Sequence, residues 1–217
     1  MTGVAPSPIV IPEGVHGTAK IYGKSTPPPA ATETMEETDS DLIAKTADGD
    51  ARAFTILVKK YQQAVLSTAF RYLGDSAAAE DVGQEVFIKV WRHARGFKGR
   101  SAFSTWLYRI AVNECLNFRV RRNRKQTLPL SEATMADGPG VAEKYEQERK
   151  ARIVRRAVGG LPDRQRMALI LSRFEGYSYE EIAAIMQVSV PTVESLIFRA
   201  KTGLKDRLLK PKREGLL

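Results

Sequence analysis

Gly176-Tyr177-Ser178-Tyr179-Glu180-Glu181-Ile182-Ala183-Ala184-Ile185-Met186-Gln187-Val188-Ser189-Val190-Pro191-Thr192-Val193-Glu194-Ser195-Leu196-Ile197-Phe198-Arg199-Ala200-Lys201 contains two helix starts around one turn. Ser178 caps the first helix, and Glu181, three residues on, reaches back to the amide of the capping residue, the pattern of a capping box. Small Ala183 lets a second helix cross closely, and Val188 and Val193 plug the angle between the two. Ser189 then caps the second helix, with Pro191 tolerated in a first turn whose amides lack intrahelical partners. These signals predict a helix-turn-helix, whose usual use is to place its second helix in a DNA major groove. An ordinary helical hairpin inside a core carries similar signals, so the rest of the chain must discriminate.

With 217 residues the chain is long enough for two small domains of roughly 60 to 100 residues each. Its 34 Lys and Arg against 25 Asp and Glu give a formal charge of +9, a balance that favours polyanions without separating nucleic acid from an anionic membrane surface. No run of apolar residues is long enough to cross a bilayer, and no signal-peptide pattern opens the chain, so no membrane insertion and a cytoplasmic location are expected. Cys115 is the one cysteine; in a helical apolar pattern it reads as a small core residue in a reducing compartment.

Residues 1–35 carry Pro6, Pro8, Pro12, Pro27, Pro28 and Pro29 with no helical period and read as a disordered extension; Met35 is an alternative start. From Asp39 onward the pattern is helical: a short helix capped by Asp39 or Ser40 and running to Ala47, then helices over 51–73, 76–94 and 101–122. The loop Arg95-Gly96-Phe97-Lys98-Gly99-Arg100 separates the last two. Residues 124–143, with Pro129, Gly138, Pro139 and Gly140, read as an extended tether. Helices resume over 143–158 and 162–175 before the helix-turn-helix. The expected fold class is therefore all-α, two small helical domains joined by a flexible linker.

On the third helix Val82, Val86 and Val90 repeat every four residues toward a core, while Asp81, Gln84, Glu85, Ile88 and Arg92 share a second face. An aliphatic side chain among charges on that face favours docking on a partner helix over simple solvation. The fourth helix has a core stripe of Phe103, Trp106, Leu107, Ile110 and Ala111, a polar face of Thr105, Arg109 and Asn113, and then Arg119, Arg121, Arg122, Arg124 and Lys125. Together with the Phe97 to Arg100 loop this can hold phosphates while offering an aromatic ring and an amide to an unstacked base. In the last helix Val193, Ile197, Ala200, Leu204 and Leu208 form the buried stripe, leaving Pro191, Ser195, Phe198, Arg199 and Thr202 outward. Arg199 suits guanine or phosphate, and Phe198 a thymine methyl. Glu80, Asp81 and Glu85 lack histidine partners at ligand spacing, so no metal site is expected, and no motif calls for a cofactor. Nor is there a phosphate-binding loop, a zinc-protease motif or a nucleophile elbow, which argues against an enzyme and leaves no catalytic residue to name.

With these residues in view, the chain resembles an extracytoplasmic-function (ECF) sigma factor of the sigma-70 family. The resemblance rests on Glu80-Asp81 with Gln84-Glu85-Val86-Phe87, then Phe97-Lys98-Gly99-Arg100-Ser101, Phe103, Thr105-Trp106-Leu107, Asn113 and the helix-turn-helix, in order. It implies sigma region 2 over 36–123, a linker over 124–143, region 4 over 144–210 and a basic tail over 211–217. It further implies that Asp81, Gln84, Glu85, Ile88 and Arg92 dock on the β′ clamp helices of core RNA polymerase, with the β flap as a second contact. A base of the −10 element would be captured by Phe97, Lys98, Gly99, Arg100, Ser101 and Asn113, with Arg109, Arg119 and Arg122 on the same surface. The −35 element would meet Pro191, Thr192, Ser195, Phe198, Arg199 and Thr202. The linker would run through the polymerase channel, and an anti-sigma factor would silence the chain.

Three positions depart from the family pattern. Gly83 stands where a larger apolar residue is usual, which removes a contact and costs about 1 kcal/mol of helix propensity. Gln187 occupies a turn position that often holds glycine, and Glu194 a recognition-helix position that is often basic. The alternative reading is a helix-turn-helix regulator acting without polymerase, but the sensing domain such a protein would carry is not visible in residues 39–125.

Overall fold

The computed structural model describes residues 37–125 and 142–213, and within them every regular element is helical. The expected extension 1–35, most of the expected tether (126–141) and the last four residues of the tail lie outside the described residues.

The first unit has four helices. α1 (Asp39–Ala47) is capped by Thr38 rather than by Asp39 or Ser40: Thr38 Oγ1 accepts from Asp41 N at 3.2 Å, and Asp41 Oδ2 accepts from Thr38 N at 3.1 Å. Asp39 is instead turned toward the next helix, where Lys60 Nζ donates to it at 2.7 Å and the Tyr61 hydroxyl also donates. α2 (Ala51–Leu73) starts at Asp50, whose carboxylate takes the amides of Arg52 and Ala53, and stops at Gly74, whose φ of +73° suits a residue without Cβ. α3 (Ser76–His93) is capped by Asp75 and runs into a single 3-10 turn, Ala94–Gly96. α4 (Phe103–Lys125) begins two residues later than the sequence suggests and runs three residues further.

The expected core stripes meet. Leu57, Val65, Val82, Val86, Val90 and Leu107 are essentially inaccessible, each contributing about 1.5–3 kcal/mol of burial. Cys115 is buried among them as expected, and burial, with Glu114 beside it, pushes its thiol up to about 12. Gly83 corrects the expectation of a lost contact. A Cβ there would lie 2.7 Å from Leu66 Cδ2, so the glycine makes room for the leucine where α2 crosses α3.

The second unit comprises α5 (Ala142–Gly159), α6 (Asp163–Arg173), α7 (Tyr179–Met186) and α8 (Val190–Arg213), with α5, α6 and α7 all packed on α8. α6 ends two residues before the expected Glu175, which is drawn out of the helix to face the first unit.

The two units are not merely tethered. α4 packs on α7 and α2 on α5 and α6, so most of the buried apolar residues of both units form one continuous cluster, with Leu161, Leu169 and Ala200 in a smaller one of their own. At the seam Glu175, its side chain 8% exposed, accepts from Arg71 Nη1 at 3.0 Å and from the Tyr108 hydroxyl at 2.9 Å. Arg166, 2% exposed, donates to the carbonyls of Tyr72 (2.8 Å), Leu161 (3.1 Å) and Gly159, and its guanidinium lies over the Tyr72 ring. These carbonyls supply the acceptors without which a buried cation would be untenable.

Candidate nucleic-acid interface

The helix-turn-helix forms as its caps require. Ser178 accepts from Glu181 N at 3.2 Å while Glu181 Oε2 takes Ser178 N at 2.8 Å, and the chain axis bends by 101° between α7 and α8. Gln187 sits at φ +54°, the left-handed region, with its amide bonded to Ala183 O. At the head of α8 the Ser189 carbonyl accepts from Val193 N at 3.1 Å, while its hydroxyl pairs with that of Thr192 at 2.8 Å. Val193, Ile197 and Ala200 are buried, whereas Leu204 and Leu208 are only half-buried. Pro191, Thr192, Ser195, Phe198, Arg199 and Thr202 are all exposed on the outward side, and so is Glu194. Phe198 is 71% exposed.

The surface on α4 and its preceding loop is differently arranged. Lys98, Gly99, Arg100 and Asn113 are exposed, Ser101 is half-buried, and Gly99 takes φ +66°. The Phe97 ring, half-buried, packs edge-on to Phe103 and Trp106 at centroid distances of 6.1 and 5.7 Å. Thr105 does not join the polar face: it is 5% exposed, on the inner side of α4. The three arginines expected here all have protein partners. Arg122 pairs with Asp75 at 3.1 Å, Arg109 Nε donates to Ala184 O at 3.2 Å, and Arg119 Nε lies 2.8 Å from Asp163 Oδ1. The last is a charge contact rather than an aligned hydrogen bond, because that N–H does not point at an acceptor.

On α3 the whole mixed row is solvent-facing: Asp81, Gln84, Glu85, Ile88 (40% exposed) and Arg92. The neighbouring Lys89 pairs with buried Glu114 of α4, tying this face of α3 to the helix that carries Asn113. Among the described residues no cluster of His, Cys, Asp and Glu is arranged to hold a metal ion, and no single helix is long and apolar enough to cross a membrane.

The seam residues Arg71, Tyr108, Asp163, Arg166 and Glu175 carry no sequence signal. A cation before the apolar run Met167-Ala168-Leu169-Ile170-Leu171 reads as solvated, and Glu175 before Gly176 reads as a helix end. Their environment shows in the ionisation: burial, then the charge of Glu175, pushes the Tyr108 hydroxyl up, and desolvation lowers Arg166.

Residues 57–126 match the family model for sigma-70 region 2, and residues 151–204 that for sigma-70 region 4. The chain is 40% identical over 186 residues to the RNA polymerase sigma-H factor of Pseudomonas aeruginosa, covering 81% of this chain and 96% of that protein. Over 181 residues it is 40% identical to the ECF RNA polymerase sigma-E factor of Escherichia coli strain K12, covering 79% of this chain and 94% of that one. Among solved structures, CnrH in complex with the cytosolic domain of CnrY aligns with a TM-score of 0.58 at 30% identity, covering 78% of this chain and 96% of that chain. With both regions present in order on the two helical units, the chain belongs to the ECF sigma factors of the sigma-70 family, which direct RNA polymerase and are not enzymes.

Proposed function

We propose that three surfaces divide the work of this sigma factor. The outer row of α3, Asp81, Gln84, Glu85, Ile88 and Arg92, docks on the clamp helices of core RNA polymerase, and region 4 also meets the flap. The Phe97 to Ser101 loop with Asn113 captures a base extruded from the −10 element, while Arg109, Arg119 and Arg122 hold the adjoining phosphates. The outward row of α8 reads the −35 element in the major groove. Residues 36–123 and 144–210 then correspond to regions 2 and 4. The site of action is the cytoplasm, where the polymerase is.

Extruding a base costs a few kcal/mol, and a pocket that binds only the unstacked base converts binding energy into strand opening. The polymerase supplies all bond-making chemistry. One observation carries the reading. Phe198, 71% exposed beside Arg199 on the outward side of the helix-turn-helix, offers its ring to a thymine methyl in a groove where Arg199 can reach guanine or phosphate. An anti-sigma factor is the silencer that membership of this family leads one to expect, and the similar CnrH is itself seen bound by a second protein, the cytosolic domain of CnrY.

Reconstituted transcription tests this. Core polymerase is offered a library of randomised promoters with and without the chain, and the chain is expected to enrich one −35 and −10 combination. Identical start-site distributions in the two reactions would refute it.

A further inference from the structure

α8 carries exposed cations at Arg199, Lys201, Lys205 and Arg207, and near its head a single exposed acid, Glu194. Among the described residues this carboxylate has neither a hydrogen-bond nor an ion-pair partner. Its helical neighbours three and four positions away, Val190, Pro191, Ile197 and Phe198, include no cation, so no intrahelical pair accounts for it. Nor does it cap the helix. The Ser189 carbonyl and the paired hydroxyls of Ser189 and Thr192 stand at the head of α8, and Glu194 lies past the first turn, beyond the reach over which the helix dipole favours an acid.

On a helix that approaches a polyanion, an acid with no structural partner is a cost, because it repels phosphate. At the edge of a base the same charge discriminates. In the major groove guanine presents the N7 and O6 acceptors and thymine the O4 acceptor, all of which repel a carboxylate. Adenine sets its N7 acceptor beside its amine, whereas cytosine presents the N4 amine alone. A carboxylate therefore accepts from cytosine and penalises the other three bases, which is selection by repulsion as much as by attraction.

The placement suits a base contact. Residues near the N-terminus of a recognition helix are those that reach base edges. Glu194 lies one turn before Phe198 on the same side of α8, and both are exposed. Four residues advance about 6 Å along a helix, or roughly two base pairs at about 3.4 Å each.

We propose that Glu194 is a specificity-determining residue of the −35 contact, accepting from the N4 amine of a cytosine within roughly two base pairs of the pair that meets Phe198. The proposal rests on the −35 reading made above. It gives the two charged residues at the reading end of α8 opposite tasks: Arg199 adds affinity, and Glu194 gives up affinity for discrimination.

The test uses holoenzyme assembled from core polymerase and the full chain. It is offered promoters randomised over the −35 element, joined to a −10 sequence that the wild-type holoenzyme itself enriches. The wild type is expected to prefer cytosine at one −35 position, on one strand or the other, by roughly five- to hundredfold. Glu194→Ala should lose that preference and keep those at the other positions, which also reports an intact helix-turn-helix. Glu194→Gln should move the preference to adenine, whose N6 and N7 a carboxamide meets together, and Glu194→Arg should move it to guanine. An alanine variant that binds every sequence more tightly yet ranks them as the wild type does would reduce Glu194 to general repulsion and overturn the proposal. So would a wild type whose −35 preferences include no cytosine that depends on Glu194, an outcome that leaves the −35 reading intact. A holoenzyme with no −35 preference at all refutes that reading itself, and this assignment with it.

Discussion

The outward row of α8 and the surface around α4 that we assign to the −10 element, two parts of the task proposed above, are held in opposite ways. On α8 every assigned side chain is exposed. On the −10 surface Phe97 is packed among aromatic rings, Arg122 is paired with Asp75, and Arg109 and Arg119 face the second unit. The difference follows from what each surface meets. Duplex DNA offers its groove edges ready-made, so a reader can be preformed and solvated. A base in an opened strand exists only after its stacking has been disrupted, so groups that would bind it have nothing to hold beforehand and are satisfied by the protein's own acceptors.

The contrast between buried and exposed cations gives the largest expected effect. Arg166→Met removes the donor to three carbonyls at the seam and should lower unfolding free energy by about 3 kcal/mol, read by denaturant titration. Arg199→Ala, on the open face, should leave stability within about 0.5 kcal/mol. Equal losses for the two would erase the distinction between a structural arginine and a reading one.

In binding the order reverses. Arg199→Ala should weaken promoter binding by about 1–3 kcal/mol if it makes a paired contact to a base. Binding of random DNA, measured alongside at the same salt, should change far less; a matching loss there would demote Arg199 to a phosphate contact.

A smaller effect is expected at Asn113, exposed on α4 one turn from Arg109. Asn113→Ala should slow open-complex formation by about fivefold, near 1 kcal/mol for one lost hydrogen bond, with duplex binding retained. Unchanged permanganate reactivity of promoter thymines would remove Asn113 from base capture.

The fold was legible wherever local chemistry dictates it. Asp50, Asp75 and the Ser178 and Glu181 pair mark helix starts by their side-chain oxygens, and Val82, Val86 and Val90 mark a core by their period. The exposed rows on α3 and α8 followed from the same periods. The seam did not, because a contact such as Arg166 to Tyr72 O joins residues 94 positions apart, and nothing local distinguishes a buried arginine from a solvated one. Thr105 was misplaced for a related reason. Its spacing with Arg109 and Asn113 is helical, but a threonine is small enough to be accepted on the inner side of α4. Gly83 read as a defect because the leucine it accommodates lies on another helix.

The smallest effect concerns how rigidly α8 is presented. Gln187 holds φ +54° at the end of α7, a conformation that costs an ordinary residue about 1–2 kcal/mol. Glycine would relieve this but would add about 0.5–1 kcal/mol of backbone entropy to be lost on folding. Gln187→Gly should therefore stabilise the protein by about 0.5 kcal/mol, a rise in Tm of about 1–2 °C by thermal melting. Because the turn keeps its geometry, −35 binding should stay unchanged. A fall in Tm would show that the glutamine side chain contributes more at the turn than its strained backbone costs, and would make that turn, like the seam, a place where a local rule yields to a tertiary contact.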